Sequence, residues 1–179
     1  LYEYGLNYKQ MNTIRKHISE IKGGRLAKAA APATTVGLVF CDVTGNESEW
    51  VASGPISPDS TSFSDAISIL ERHDIPAPDR VRSPLEQGYS GFVDETPGQD
   101  DDVFEYVDEH RLADTYSALA SAEEVAENRS YNATILWSHY SGNAVELAKT
   151  QTGIVREIRE TGRPVEPPAV VLTGGDLTV

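Results

Sequence analysis

The 179-residue chain has a single cysteine and no long apolar run, and each absence excludes a class of protein. Cys41 has no second cysteine to pair with, so an intramolecular disulfide and the cysteine-rich metal motifs are excluded. No stretch approaches the roughly 20 apolar residues of a membrane-spanning helix. The amino terminus also has no basic-then-apolar signal pattern. The sequence predicts a soluble, cytoplasmic protein with no membrane partner, in which Cys41 is a small buried side chain in a strand.

Basic residues are scarce, since 15 Lys and Arg face 28 Asp and Glu and the net charge is −13. Such a surface repels phosphate backbones, so nucleic acid is not expected to be a partner. The acidity indicates either an acidic interaction surface or adaptation to high salt. Because the acidic residues are spread along the chain, we favour salt adaptation and expect a halophilic host.

Several familiar catalytic motifs are also absent. The chain has no G-x-x-x-x-G-K-[ST] phosphate loop, no H-R-D or D-F-G set and no G-x-G-x-x-G dinucleotide fingerprint. The histidines are too scattered along the sequence to indicate a metal cluster, and they are His17, His73, His110 and His139. Local motifs alone therefore predict only a domain that binds an anion.

Hydrophobic spacing predicts alternating helices and strands. Helices are expected over 12–22, 25–31, 63–73, 79–87, 112–128 and 142–161, and strands over 36–43, 132–138 and 169–173. Gly23 and Gly24 are expected to end the first helix, and the apolar strand over 36–43 is expected to be covered on both faces. Residues 44–62 and 88–110 read as a long ordered loop and a solvated surface excursion. This alternation is typical of an α/β fold, here a three-layer α/β/α sandwich, Rossmann-like, with a largely parallel sheet.

Polar and glycine-rich segments follow two of the predicted strands, where ligands of parallel sheets collect. Asp42 comes directly after the first strand, followed by Gly45, Asn46 and Glu47. Gly174 and Gly175 follow the last strand and would let backbone N–H groups approach a phosphate. The alternative for Asp42 is a solvent-facing turn, and a lone Gly-Gly pair is a weak indication by itself.

The segment Ser53-Gly54-Pro55, with Asp59 and Thr61, offers hydroxyls and amides to an anionic or polyhydroxylated ligand. Its alternative is a stiff turn.

Positive charge is concentrated in one short stretch of this acidic chain. Arg15, Lys16, Lys22 and Arg25 lie within eleven residues. Such a cluster indicates a site for a carboxylate or phosphate, and the alternative is a solvated helix face that neutralises nearby acids. His17, between them, is expected to pack rather than to act in catalysis.

Four segments resemble the glycerate 2-kinase family, also called the MOFRL or type 2 glycerate kinase family. MNTIRKHIS (11–19) followed by IKGGRLA (21–27) resembles its signature helix. CDVTGNE (41–47) and ASGP (52–55) resemble its Ser-Asp-Val-x-Gly-Asp-Asp and Ala-Ser-Gly-Pro stretches. TGGDLTV (173–179) is similar to the step that opens the MOFRL domain. The departures are Cys41 for Ser, Asn46 for Asp and Asp176 for Glu, and Asn46 loses a charge at a position where a metal ligand could stand.

The resemblance implies phosphorylation of D-glycerate to 2-phosphoglycerate with ATP and Mg²⁺, in a cleft between two domains. It assigns catalytic roles to Lys16, Lys22 and Asp42, and metal binding to Asp42 and Asp176. The implied substrate- and phosphate-binding residues are Asn12, Arg15, Gly23, Gly24, Arg25, Ser53, Gly54, Gly174 and Gly175.

The resemblance also predicts a domain boundary. Residues 1–168 would belong to the amino-terminal α/β domain and 169–179 to the truncated start of the MOFRL domain. A glycine-rich segment with an essential lysine would precede Leu1 and an arginine-bearing motif would follow Val179, so a chain ending there is expected to be nearly inactive. The alternatives are a hydroxypyruvate reductase-type enzyme, or a non-catalytic ligand-binding or assembly domain, and a homodimer is left open.

Overall fold

Helices and strands alternate along the chain in a computed structural model that describes residues 1–43, 45 and 47–178. The elements are α1 (Tyr8–His17), α2 (Arg25–Ala30), β1 (Thr35–Cys41), α3 (Phe63–Arg72), α4 (Asp79–Tyr89), β2 (Val107–Asp114), α5 (Thr115–Glu127), β3 (Asn132–Asn143), α6 (Ala144–Thr161) and β4 (Ala169–Thr178). Short 3-10 turns lie at Tyr2–Tyr4, Ser48–Ser53 and Asp102–Tyr106. The α/β class predicted from the sequence is confirmed.

The chain divides into two compact units. Unit 1 contains Leu1–Val39 and Ser48–His110, and unit 2 contains Phe40–Glu47 and Arg111–Val179. The strands form two two-stranded sheets, β1 with β2 and β3 with β4. None of the helices in the described part of the chain is long and apolar enough to cross a membrane.

The core of unit 1 forms where the apolar faces of α1, α3 and α4 meet. Its buried side chains are Leu6, Met11, Ile14, Phe63, Ala66, Ile69, Leu70, Ile75 and Leu85. Capping boxes fix where two of these helices begin, because Asn7 exchanges hydrogen bonds with Gln10 and Ser62 with Asp65. The helix that carries Arg15 and Lys16 is therefore anchored on one face by the core.

In unit 2 the strands β3 and β4 pair in parallel, as the sequence predicts. Asn132 lies opposite Ala169 and Asn143 opposite Thr178, with irregular register on both sides of Trp137. Helix α6 connects the two strands and ends at Gly162, which adopts φ 74° as a left-handed cap. The amide of Gln151 on α6 donates to the hydroxyl of Thr173 on β4 at 2.7 Å, which fixes the helix to the strand that follows it.

The prediction that Gly23 and Gly24 end the first helix is wrong. α1 begins at Tyr8, four residues before the predicted start, because Asn7 caps it, and it ends at His17. Gly24 instead precedes α2, with φ 77°. The last carbonyls of α1 need no glycine cap, since the guanidinium of Arg25 donates to the carbonyl of Lys16 at 2.8 Å.

Strand β2 lies where the sequence predicts a surface excursion and the start of a helix. It escaped detection because most of its side chains are exposed and several are charged, so no apolar alternation marks it. Strand β1 lies close to its predicted bounds, and Cys41 within it is buried as predicted, at 1% exposure. Coverage of both faces of β1 is not found, because Val36, Leu38 and Phe40 are exposed.

Candidate functional site

A small polar cavity in unit 1 brings together several of the predicted site residues. It has a volume of about 280 Å³ and is lined by Asn12, Arg15, Lys22, Trp50, Ala52 and Ser53. Two of these residues are cations, and the cavity therefore suits a small anion better than a neutral apolar ligand.

Asn12 is the hub of this cavity. Its side-chain oxygen accepts hydrogen bonds from the Ser53 hydroxyl at 3.0 Å and from the Arg15 guanidinium at 3.2 Å. Its amide donates to the backbone carbonyl of Trp50 at 3.3 Å. Asn12 and Ser53 are buried. Because both partners are fixed, this network holds Arg15 against the lining of the cavity with part of its donor fork still available.

Lys22 supplies the second cation. Its ammonium donates to the backbone carbonyl of Ala52 at 2.8 Å, and the contact is exposed to solvent. An ammonium has three donors, so this bond leaves others for an anionic ligand. Arg15 and Lys22 are thus the two cations of the predicted cluster that line one cavity.

The segment that closes the cavity has a strained backbone. Ala52, Ser53 and Gly54 adopt φ values of 51°, 65° and 58°, in the left-handed region that side chains disfavour. The amides of Gly23 and Gly24 hold this segment by donating to the carbonyls of Ser53 at 3.0 Å and Gly54 at 2.7 Å. Gly23, Gly24 and Gly54 therefore shape the cavity. The N–H groups of Gly23 and Gly24 are committed to backbone carbonyls. Strain of this kind is common at ligand sites.

Lys16 does not line the cavity. Its side chain has no exposed surface, and its ammonium lies 3.0 Å from Asp59 Oδ1 and 3.0 Å from Glu49 Oε2. The same ammonium lies 3.9 Å from the centre of the Trp50 ring. The structure therefore places Lys16 in a buried ion pair beneath a residue that lines the cavity.

The charge of Asp59 is favoured by its partners. Burial raises the pKa of this carboxyl, but hydrogen bonds from Thr61 and the ammonium of Lys16 outweigh it, and the pKa lies below its ordinary value. One oxygen, Oδ2, has no hydrogen-bond partner. The carboxylate is thus held charged in a fully buried position.

This depressed pKa predicts a loss of stability in acid. A carboxyl whose pKa is lowered on folding contributes stability above its unfolded pKa, near 4, and that contribution is lost as the pH falls through the folded pKa. Urea unfolding between about pH 2 and pH 5 should show a fall in the free energy of unfolding that is smaller in Asp59→Asn. Equal pH dependence in the two proteins would contradict this assignment.

Arg25 acts as a cap of α1. Besides Lys16 its guanidinium donates to the carbonyl of Ser19 at 3.2 Å. Burial lowers the pKa of Arg25, against the opposing effects of Asp59 and Glu95. Arg25 lines a different cavity of about 440 Å³, together with His17, so the structure does not bring it to the cavity of Arg15 and Lys22.

The remaining predicted residues lie in unit 2. Asp42 follows β1 and lines an apolar cavity of about 390 Å³ with Asp114, and Asp176 is exposed on β4. Asn46 lies outside the described residues. In residues 1–43, 45 and 47–178, no three His, Cys, Asp or Glu side chains are grouped closely enough to hold a metal ion.

Gly174 and Gly175 each have a packing reason to be glycine. A Cβ on Gly174 would collide with the methyl of Thr115 on α5, and one on Gly175 with the backbone carbonyl of Tyr140 on β3. At Gly175 φ is also 152°. These contacts account for both glycines without a phosphate, and the role predicted for them stays a prediction.

Two side chains at this site escaped the sequence analysis. Trp50 lines the cavity, and the Glu49 carboxylate is the second acidic partner of the Lys16 ammonium, beside Asp59. Glu49 lies 33 and Trp50 34 positions after Lys16, in a segment whose sequence has no helical or strand periodicity. Spacing therefore gave no indication of either residue.

Comparison with known proteins shows relatives along the whole chain. Residues 1–86 match a family described as a domain of unknown function, DUF4147. The chain is 40% identical over 176 residues to a putative hydroxypyruvate reductase of Agrobacterium vitis, covering 98% of this chain and 38% of the relative. It is 38% identical to the glycerate 2-kinase of Pyrococcus horikoshii, covering 100% of this chain and 40% of the relative.

A solved structure supports the same relationship. The crystal structure of a glycerate kinase from Thermotoga maritima matches with a TM-score of 0.73 and 31% identity, covering 100% of this chain and 41% of that one. The chain thus spans about two fifths of the length of the relatives it matches. With 31–38% identity along its whole length and the same fold, the chain is homologous to about two fifths of the length of these glycerate kinases.

Proposed function

We propose that the protein carrying this chain phosphorylates the 2-hydroxyl of D-glycerate with ATP. The names of the relatives from Pyrococcus horikoshii and Thermotoga maritima support this activity. The observation in this chain that carries the proposal is the cavity where Arg15 and Lys22 converge beside the buried Asn12 and Ser53. Its volume of about 280 Å³ is at the low end for ligand sites and has room for a three-carbon acid.

Within this site the two cations hold the glycerate carboxylate. Arg15 presents a planar fork whose position Asn12 sets, and Lys22 adds a mobile point charge. The Ser53 hydroxyl, already bonded to Asn12, is placed to accept from a substrate hydroxyl. The Lys16 ammonium contacts the ring of Trp50, which lines the cavity. Arg25 caps α1, the helix that carries Asn12 and Arg15.

ATP and Mg²⁺ are the cofactors that a kinase requires, and when bound they supply the phosphoryl group and neutralise its charge. Mg²⁺ commonly uses one or two carboxylates together with substrate phosphates. Asp42 and Asp176 are exposed carboxylates of this kind. Gly174 and Gly175 pack closely against Thr115 and Tyr140, and we assign no step of the reaction to those glycines.

Phosphorus NMR of the products tests the activity. The full-length protein is mixed with D-glycerate and Mg-ATP at low and at molar salt, beside the 179-residue chain. A 2-phosphoglycerate signal from the full-length protein supports the kinase, and a signal only at molar salt supports adaptation to a halophilic host. Absence of any phosphorylated glycerate would sink the proposal.

Lys22→Met and Arg15→Met should each lower kcat/KM for D-glycerate by about 10- to 100-fold, since a charge-assisted hydrogen bond of roughly 1.5–3 kcal/mol is lost. The matched control is Lys28→Met, because Lys28 is exposed on α2 and does not line the cavity. Steady-state kinetics in the full-length protein make the comparison. Equal activity of all three variants would contradict a ligand role for this cavity.

A hydroxypyruvate reductase is the second candidate, because the relative in Agrobacterium vitis carries that name. Hydroxypyruvate is also a three-carbon carboxylate, so the same cavity would accept it. The sequence has no G-x-G-x-x-G fingerprint for a dinucleotide, which counts against this activity. Oxidation of NADH or NADPH by the full-length protein with hydroxypyruvate would favour the reductase, and glycerate binding without turnover would favour a non-catalytic domain.

A further inference from the structure

The hydrogen bonds around Asn12 have a fixed direction. Its amide nitrogen lies 3.3 Å from the backbone carbonyl oxygen of Trp50, and a carbonyl oxygen can only accept. Its side-chain oxygen lies 3.2 Å from the guanidinium of Arg15, and a guanidinium can only donate. An Asn12 amide turned by 180° would set acceptor against acceptor and donor against donor at these two contacts. The two neighbours therefore fix which end of Asn12 accepts.

This orientation also fixes the proton of Ser53. The Ser53 hydroxyl lies 3.0 Å from the side-chain oxygen of Asn12, which presents only lone pairs. The hydroxyl therefore donates its single hydrogen to Asn12, since two facing acceptors would repel each other. A free serine hydroxyl can both donate and accept, but this one meets the cavity with lone pairs alone.

The fold holds Ser53 in this role. Its side chain lines the cavity, yet the residue is buried at 3% exposure. Its backbone adopts φ 65°, and its carbonyl accepts from the amide of Gly23 at 3.0 Å. A buried acceptor that meets another acceptor in a ligand is left without a hydrogen bond, which costs free energy. The direction of one hydrogen bond thus becomes a preference among ligands.

The same cavity contains two groups that can only donate. Arg15 and Lys22 line it, and both side chains end in groups with hydrogens and no acceptor. A ligand that satisfies all three side chains has an anionic acceptor for the cations and a hydrogen-bond donor beside it for Ser53. A 2-hydroxycarboxylate has both groups, whereas a 2-oxocarboxylate of the same size offers acceptors alone.

We infer that Ser53 makes this cavity select 2-hydroxy acids over 2-oxo acids. The inference rests on the proposed function for the class of ligand, a small hydroxycarboxylate. Ser53 is the specificity-determining residue, because its oxygen accepts from the hydroxyl of the ligand. Asn12 is a positioning residue, because it takes the hydrogen of Ser53 and so leaves only lone pairs toward the ligand.

Calorimetric titration of the full-length protein with D-lactate and with pyruvate tests this inference. Both acids have three carbons, and they differ only at carbon 2, where lactate has a hydroxyl and pyruvate an oxo group. Neither has the 3-hydroxyl of glycerate and hydroxypyruvate, so no second donor can reach Ser53. The wild-type protein should bind D-lactate tighter by about 10- to 100-fold, as expected when a buried acceptor loses its partner.

Ser53→Ala should bring the two affinities within about threefold of each other, because the acceptor is removed. Ser53→Gly, which suits φ 65°, should do the same. Asn12→Ala should also equalise them with Ser53 intact, since the freed hydroxyl can donate to the oxo group of pyruvate. The matched control is Ser57→Ala, which should keep the wild-type ratio. Ser57 is also buried and its hydroxyl donates to Glu109 at 3.0 Å, but it does not line the cavity.

A wild-type protein that binds the two acids equally, or binds neither, overturns the inference. A wild-type ratio that persists in Ser53→Gly or in folded Ser53→Ala overturns it as well. Equal weakening of both acids in Asn12→Ala, with the ratio kept, overturns the positioning role of Asn12.

Turnover in the phosphorus NMR assay is read separately. Selective binding of D-lactate without phosphorylation of D-glycerate sinks the kinase and supports the inference. Phosphorylation of D-glycerate by a protein that does not distinguish the two acids sinks the inference and supports the kinase.

Discussion

Replacement of Lys16 by methionine should lower the free energy of unfolding by about 3–5 kcal/mol. Methionine fills similar space but removes the ammonium that faces Asp59 at 3.0 Å, where both side chains are fully buried. The Asp59 carboxylate is then left charged in the interior, and one of its oxygens already lacks a hydrogen-bond partner. Urea unfolding followed by circular dichroism measures the difference.

Lys22→Met is the control for the loss of a lysine near the same site. Its ammonium makes an exposed contact with the carbonyl of Ala52, so we expect a change below about 1 kcal/mol. The double variant Lys16→Met/Asp59→Asn should recover part of the loss, because the unpaired charge is removed as well. A loss in Lys16→Met no larger than in Lys22→Met would show that the buried pair does not hold unit 1 together.

Gly54→Ala should lower the free energy of unfolding by about 2–4 kcal/mol and weaken glycerate binding more than about tenfold. The new Cβ would stand 2.7 Å from the carbonyl oxygen of Glu49, a backbone atom that cannot turn aside, at a φ of +58°. The strained segment would have to move, and with it Ser53 and the carbonyl of Ala52 that bonds Lys22. Unfolding and calorimetric titration of the same protein measure both effects.

Gly91→Ala is the control that separates the cost of a left-handed backbone from the cost of the steric clash in Gly54→Ala. Gly91 has φ +76° but nothing within 4 Å of a Cβ, so its substitution carries only the cost of the left-handed backbone, about 1–2 kcal/mol. Glycerate binding should be unchanged, because Gly91 does not line the cavity. If Gly54→Ala and Gly91→Ala behave alike, the close approach of Glu49 has no influence on the site.

The sequence was informative where local physics decides the structure. Periodicity placed α3 and α6 closely, and the structure shows a capping box of Ser62 and Asp65 at the start of α3. β2 could not be found in this way, since it is defined by its partner strand and not by its own apolar residues. The start of α1 was missed because the capping pair Asn7 and Gln10 was not recognised.

The candidate site likewise has features that the local sequence determines and features that the tertiary fold determines. A cluster of four cations is visible in the sequence, but spacing does not tell which of them share a cavity. Asn12 and Arg15 are three positions apart and share one face of α1, whereas Lys16 turns inward to a partner 43 positions away. A pairing over that distance is set by the tertiary fold. The roles of the individual site residues therefore stay predictions that only the variants above can test.

Burial of the one cysteine makes the opening of unit 2 measurable through thiol chemistry. Cys41 is 1% exposed at the end of β1, so a maleimide can reach its sulfur only when the surrounding structure opens. Because the chain has no other thiol, the labelling rate reports the exposure of Cys41 alone. Lys16 and Trp50 lie in unit 1, so their variants would leave this rate unchanged if the two units open independently.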